Sequence, residues 1–214
     1  YAAHLVWRNP KRPVHPVHEA ARRRGELPDV VRVATVQYGQ RRVATFEEFA
    51  AQVEYFVDVA ADYAADFVVF PELFTLQLLS IENQPLSPAD SIRSLSGYTA
   101  PFGELITRLA VQYNINLIAG SHPTHMPDGD IHNNCYVALR DGSLHVREKL
   151  HPTPNERHWW KVTGGDAAPI IATDCGPIGI MICYDAEFPE LGRHLTDQGA
   201  LLFFVPFCTD TREG

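Results

Sequence analysis

Two rhythms of apolar and polar positions run along the chain, and the switches between them predict its elements. Val30 to Tyr38 (VVRVATVQY) is rich in Val and Thr and predicts a strand. From Thr45 to Tyr63 the period becomes helical: Phe46, Phe49, Val53, Phe56, Val57 and Ala60 fall on one stripe. Thr45, with Glu48 three residues on, has the spacing of a capping box at the start of that helix. Phe67 to Phe70 (FVVF) is a short apolar strand stopped by Pro71–Glu72. A second helix is predicted from Tyr98 to Tyr113, turning Phe102, Leu105, Ile106, Leu109 and Ala110 inward, and Asn116 to Gly120 follows as a strand.

The middle of the chain changes rhythm. Asn133 to Leu139 and Ser143 to Glu148 flank Arg140–Asp141–Gly142, where Asp–Gly is a hairpin turn signal. Ala168 to Thr173 and Ile178 to Ile182 read as a further strand pair around Cys175–Gly176–Pro177. A helix from Glu187 to Gln198 and a strand from Leu201 to Val205 close the pattern. Strands alternating with helices, interrupted by hairpins, predict an α/β fold with mixed rather than wholly parallel sheets.

Composition narrows the class. The 214 residues are 45% apolar, enough for a sizeable core. The formal net charge of −8, from 18 basic and 26 acidic residues, is opposite in sign to that of a general nucleic-acid or anionic-membrane binder. The longest apolar runs, such as Leu201 to Pro206, are strand-sized, so the expectation is a soluble, cytoplasmic protein. Four cysteines are too few and too scattered for a disulfide scaffold. The charge is uneven: Tyr1 to Pro28 carries Arg8, Lys11, Arg12, Arg22, Arg23 and Arg24 against Glu19 and Glu26, with Pro10, Pro13, Pro16 and Pro28. Residues 1–29 therefore read as a basic, Pro-containing linker or arm, with a short basic helix over Val17 to Gly25, and residues 30–214 as the main folded domain.

Three ionisable residues stand at the ends of predicted strands: Glu72 after FVVF, Lys149 in HVREKLH, and Cys183 after GIMI. Residues just past strand C-termini line the ligand crevice of open α/β sheets. A thiol needs a base to become a nucleophile, and an attacked carbonyl needs a cation or N–H donors for its oxyanion. Glu72, Lys149 and Cys183 meet those needs, and the backbone N–H of Tyr184 at the strand-to-helix turn adds a donor. Each alone has a plainer reading: a core cysteine, a turn carboxylate, a surface lysine.

The local motifs decide between these readings. PELF around Glu72, REKLH around Lys149, PNE ending at Glu156 and GIMICYDAEFPELGR around Cys183 resemble the carbon–nitrogen hydrolase (nitrilase) superfamily, in order and spacing, across nearly the whole chain after Val31. The resemblance implies a four-layer α-β-β-α sandwich with two central sheets. It implies that Glu72 is the general base, Lys149 the oxyanion stabiliser, Cys183 the nucleophile, and Glu156 a second carboxylate orienting Lys149 and the substrate amine. It further implies a small-molecule amide as substrate, with N-carbamoyl amino acids, nitriles and acyl transfer as the family's other chemistries. No cofactor or metal is called for, and a homodimer or larger homo-oligomer is expected. Some members are fused behind an acetyltransferase domain through a basic linker, which the segment from Tyr1 to Pro28 would fit. The family's closing elements after Gly214 are absent from the sequence, so the chain is expected to be part of a longer protein. The competing class is a non-catalytic binding module on the same fold.

Other groups are weaker candidates. His122, His125 and His132, with Asp128 and Asp130, lie in SHPTHMPDGDIH, which reads as a loop of exposed histidines without the context of a metal site; the resemblance places this loop, and so His122, near the pocket mouth. His151, His158, Trp159 and Trp160 flank Glu156, as walls of the acyl pocket or as cover for the loop. Gly164–Gly165–Asp166 is a turn without a phosphate-loop context. Cys135, Cys175 and Cys208 read as small apolar fillers, with Cys208 also placed to touch substrate from the end of the LLFFVPF strand.

Overall fold

The computed structural model describes residues 27–209, so the basic helix expected over Val17 to Gly25 lies outside the described residues. Strand β1 (Val33–Thr35) leads to helix α1 (Phe46–Asp62), and strand β2 (Phe67–Val69) follows. A 3-10 turn (Phe74–Leu78), α2 (Leu79–Glu82), α3 (Pro88–Leu95) and α4 (Thr99–Tyr113) then return the chain to β3 (Asn116–His125). Next come β4 (Ile131–Ala138), β5 (Leu144–Glu148), a π-helical turn (Glu156–Trp160) and β6 (Val162–Thr163). The chain closes with β7 (Ile178–Ile180), a 3-10 turn (Cys183–Glu187), α5 (Pro189–Asp197) and β8 (Leu202–Phe204).

The larger sheet runs β1-β2-β3-β4-β5, with β6 beside β4. Its first three strands are parallel and the next two pairings antiparallel, so the fold is mixed α/β as the sequence predicts. Alternation separates its faces. Val68, Leu117, Ala119, Tyr136 and Ala138 meet Phe49, Val53 and Val57 of α1 and Phe102, Ile106 and Leu109 of α4. The opposite face, through Phe67, Ile118, Cys135 and Val137, packs on Ile178, Ile180, Ile182 and Phe204 of the second sheet, with the Phe67 and Phe204 rings 4.8 Å apart. Between those isoleucines Gly179 and Met181 point the other way, toward α5: a methyl group at Gly179 would lie 3.1 Å from Leu195. Full burial of a Leu or Phe side chain contributes about 1.5–3 kcal/mol, so these clusters carry most of the fold's stability.

Thr45 caps α1 by accepting from the Glu48 N–H at 3.3 Å, but the reciprocal half of the expected box does not form: Glu48 reaches past Thr45 to the Ala44 N–H at 2.8 Å. The hairpin at Asp141–Gly142 forms, with Gly142 at φ 92. Two further expectations need correction. The strand from Asn116 does not stop at Gly120. It kinks there, Gly120 adopting φ 60 against the Pro71 carbonyl where the register shifts between Ile118 and Ser121, and then continues to His125. The Ala168 to Thr173 strand reduces to one antiparallel bridge between Ile171 and Ile178, because Pro169 has no N–H and Thr173 turns the chain through its bond to the Gly176 carbonyl. The stretch between Glu72 and Tyr98, which has no clear periodicity, holds α2 and α3, where Ser87 caps α3 by accepting from the Asp90 N–H. Among the described residues no helix is long and apolar enough to cross a membrane.

Candidate active site

Four segments bring Glu72, Lys149, Glu156 and Cys183 together at one end of the sheets. Glu72 lies three residues past β2, followed by Leu73 in the left-handed region at φ 55, whose N–H donates to Ser121 Oγ at 3.1 Å. That bond ties the Glu72 turn to the part of β3 beyond the Gly120 kink. Lys149 directly follows β5, its N–H donating to the Asn133 carbonyl and its carbonyl accepting from Gly165, both at 2.9 Å. Gly165 has no room for a side chain, since a Cβ would strike Glu148. Glu156 opens the π-helical turn and is buried, its carboxylate accepting from the Thr153 N–H at 2.7 Å.

The Lys149 ammonium, 1% exposed, donates to Glu72 Oε1 and to Glu156 Oε2, each at 2.7 Å. Burial alone would pull its pKa down, but the two carboxylates outweigh that and raise it, so Lys149 stays charged. The Glu72 pKa is raised as well, here by burial, which Lys149 only partly offsets, so its proton is held more tightly than in an ordinary carboxyl. Asn133 completes the cluster, its Nδ2 donating to Glu72 Oε1 at 3.0 Å and to Glu156 Oε1 at 2.8 Å. One cation is thus shared between two carboxylates in a buried setting.

Cys183 sits at φ 50, a left-handed conformation that costs an L-residue about 1–2 kcal/mol. Its N–H donates to the Pro206 carbonyl at 2.9 Å, and its Sγ contacts the Cys208 carbonyl at 3.8 Å. Burial and then the Glu72 charge raise the thiol pKa to about 11, so the resting group is the protonated thiol. The turn is held by Asp185, whose Oδ2 accepts from the Ile182 N–H at 3.0 Å, while the Asp185 N–H returns to the Ile182 carbonyl at 3.1 Å. Tyr184, next to the thiol, lays its ring edge-on to Phe188 at 5.2 Å.

The other candidates are distributed differently. His122 is not an exposed loop residue: it lies on β3, wholly buried, between Thr75 Oγ1 at 3.0 Å and Thr99 Oγ1 at 3.1 Å. Burial lowers its pKa to about 4, and it serves the contact of β3 with its covering helices rather than a pocket mouth. His132 is also buried, 3.4 Å from Glu148, whereas His125 is exposed. Among the described residues no three His, Cys, Asp or Glu side chains converge as metal ligands. Trp159 is exposed, with His158 edge-on to it at 4.6 Å, while Trp160 is partly buried against the larger core, on the turn that meets α3. His151 turns toward Asp185, and Cys208 reaches Cys183 through its main chain. Asn133 and Asp185 belong to the site without having been singled out in the sequence. A pair of asparagines in the middle of a buried strand, and an Asp three residues past a strand end, are the signals that point to them.

Residues 32–213 match the sequence model of the family described as carbon–nitrogen hydrolase. The chain is 45% identical over 214 residues to the probable hydrolase YhcX of Bacillus subtilis (strain 168), covering all of this chain and 40% of that protein. It is 30% identical over 158 residues to the chloroplastic omega-amidase of Arabidopsis thaliana, covering 70% of this chain and 42% of that one. The crystal structure of Saccharomyces cerevisiae Nit3, a member of branch 10 of the nitrilase superfamily, matches with a TM-score of 0.70 and 26% identity, over 86% of this chain and 66% of that one. The chain thus spans less than half the length of either curated relative.

Proposed function

Because the chain belongs to the carbon–nitrogen hydrolase family, we propose that it hydrolyses a small-molecule amide through a thioester on Cys183. The observation that carries this reading is the Lys149 ammonium, locked at 2.7 Å from both Glu72 and Glu156 beside a cysteine held at positive φ. Cys183 attacks the amide carbonyl as its proton passes to Glu72, whose raised pKa suits it to hold that proton. The high thiol pKa requires this transfer to accompany attack rather than precede it. Lys149 and the Tyr184 N–H stabilise the tetrahedral oxyanion. Glu72 then gives the proton to the departing ammonia or amine, and the thioester remains. Glu72 next takes a proton from water as the hydroxide adds to the thioester; collapse expels the Cys183 thiolate, Glu72 returns its proton to that sulfur, and the carboxylic acid leaves and ionises to the carboxylate. Glu156 orients Lys149 throughout.

A relative that carries the name omega-amidase favours amides over nitriles. The same reading makes the protein a cytoplasmic homodimer or larger homo-oligomer that uses no cofactor and binds neither nucleic acid nor membrane. The test is to incubate the full-length protein and its Cys183→Ala variant with ω-amides, N-carbamoyl amino acids and nitriles, following ammonia and carboxylate. Ammonia release from an amide that vanishes in the variant supports the reading. Turnover of nitriles or carbamoyl compounds alone changes the substrate class, and no Cys183-dependent turnover overturns it.

A further inference from the structure

Asp185 is 1% exposed, and its carboxylate holds two separate segments together. Oδ2 accepts from the Ile182 N–H at 3.0 Å, on the turn that carries Cys183. Oδ1 accepts from His151 twice, from its main-chain N–H at 2.8 Å and from ring Nδ1 at 2.9 Å, on the segment that carries Lys149. An ionised carboxylate only accepts, so Nδ1 bears the proton in this pair. The His151 ring is pinned on its face as well, stacked on Phe188 with centroids 3.7 Å apart and planes 10° from parallel. Phe188 follows the turn, and its N–H donates to the Asp185 carbonyl at 3.2 Å. A simple helix-start cap needs only the Ile182 bond. The two bonds to His151 are additional, and they reach 34 residues back along the chain.

From this geometry we propose that Asp185 and His151 are positioning residues of the reaction: their bonded pair fixes the distance between the Cys183 sulfur and the Lys149 ammonium. Lys149 and Cys183 come from different sheets, and a shift between those sheets would misplace the oxyanion donor relative to the nucleophile. The Asp185–His151 pair spans that junction within two residues of each. His151 accordingly acts through its neighbours and not as a wall of the acyl pocket. The proposal rests on Cys183 and Lys149 acting as nucleophile and oxyanion donor.

The test uses the full-length protein with His151→Ala, His151→Asn and Asp185→Asn. Asparagine places an amide N–H near the position of Nδ1 and so keeps a donor for Asp185 without the ring. Two readouts are taken on each: steady-state kinetics on the best amide, and the rate at which iodoacetamide alkylates Cys183, resolved by peptide mapping. Misplacement by about 1 Å costs on the order of 100-fold. His151→Ala and Asp185→Asn are therefore expected to lower kcat by about 10–100-fold with KM within about twofold. His151→Asn is expected to recover most of that loss, and Cys183 alkylation to follow the same order. If His151→Ala leaves kcat and alkylation unchanged, or if His151→Asn is as impaired as His151→Ala while both stay folded, the proposal falls. Should Asp185→Asn fail to fold, the two His151 variants decide alone. If the wild type turns over no amide, the proposed function fails, and the alkylation order still decides the positioning claim.

Discussion

Lys149 Nζ and Glu72 Oε1 stand 2.7 Å apart in a buried setting, and this pair governs the protonation of the site. The cation restrains a carboxylate that burial would otherwise make a much weaker acid, and the carboxylate keeps the cation charged. Removing one partner therefore changes more than one charge.

Lys149→Met leaves Glu72 and Glu156 facing each other without a cation. Breaking a buried ion pair from one side costs about 3–5 kcal/mol, and urea denaturation at neutral pH should show a loss in that range. The loss should shrink as pH falls, because the unpaired carboxylates then take up protons in the folded protein.

The Cys183 thiol should alkylate slowly at neutral pH and faster as pH rises toward about 11. The Glu72 charge is among the forces that raise this thiol pKa, so Glu72→Gln should move the midpoint of the alkylation profile downward while abolishing amide turnover. A midpoint that stays put or rises in Glu72→Gln would show that Glu72 does not act on the thiol.

His122 makes stability depend on pH. Folded, it holds its neutral form down to about 4, whereas the unfolded chain takes up a proton at the ordinary 6.5. The unfolded state thus binds more protons between these values, and stability falls as pH drops from about 6.5 to about 4. The loss amounts to roughly 3 kcal/mol and levels off below that window. Comparing His122→Gln with the wild type across the window isolates this contribution, and the variant should show the flatter profile.

Asn133→Leu removes the donor that both Glu72 and Glu156 share. Hydrogen bonds to charged groups contribute about 1.5–3 kcal/mol each, so thermal unfolding should show a loss of about 3 kcal/mol for the pair together, each bond taken at the low end. The activity loss should fall mainly on kcat, by about 10–100-fold, as expected for disturbed geometry.

The sequence makes some of this legible and hides the rest, for physical reasons. Glu72 and Cys183 stand out because each follows an apolar run at a strand end, Lys149 because it ends the hairpin strand, and the first helix because its stripe and its Thr45 cap agree. His122 is hidden because Gly120, which reads as a strand terminator, works as a kink within a strand, and the segment beyond it is buried. Asn133 is hidden because polar residues in a strand normally face water, and only the folded site supplies two carboxylates across 61 and 23 residues. Asp185 shows its cap from local spacing, but its bonds to His151 are a product of tertiary packing.

The left-handed backbone of Cys183 has a consequence for how the protein can be improved. Glycine adopts φ 50 without steric penalty, so Cys183→Gly should relieve about 1 kcal/mol of strain and yield a more heat-resistant protein that is wholly inactive. Selection for thermal tolerance alone would drift toward that dead end. Any stabilised variant therefore has to be screened for turnover in the same step, because at this position robustness and chemistry pull in opposite directions.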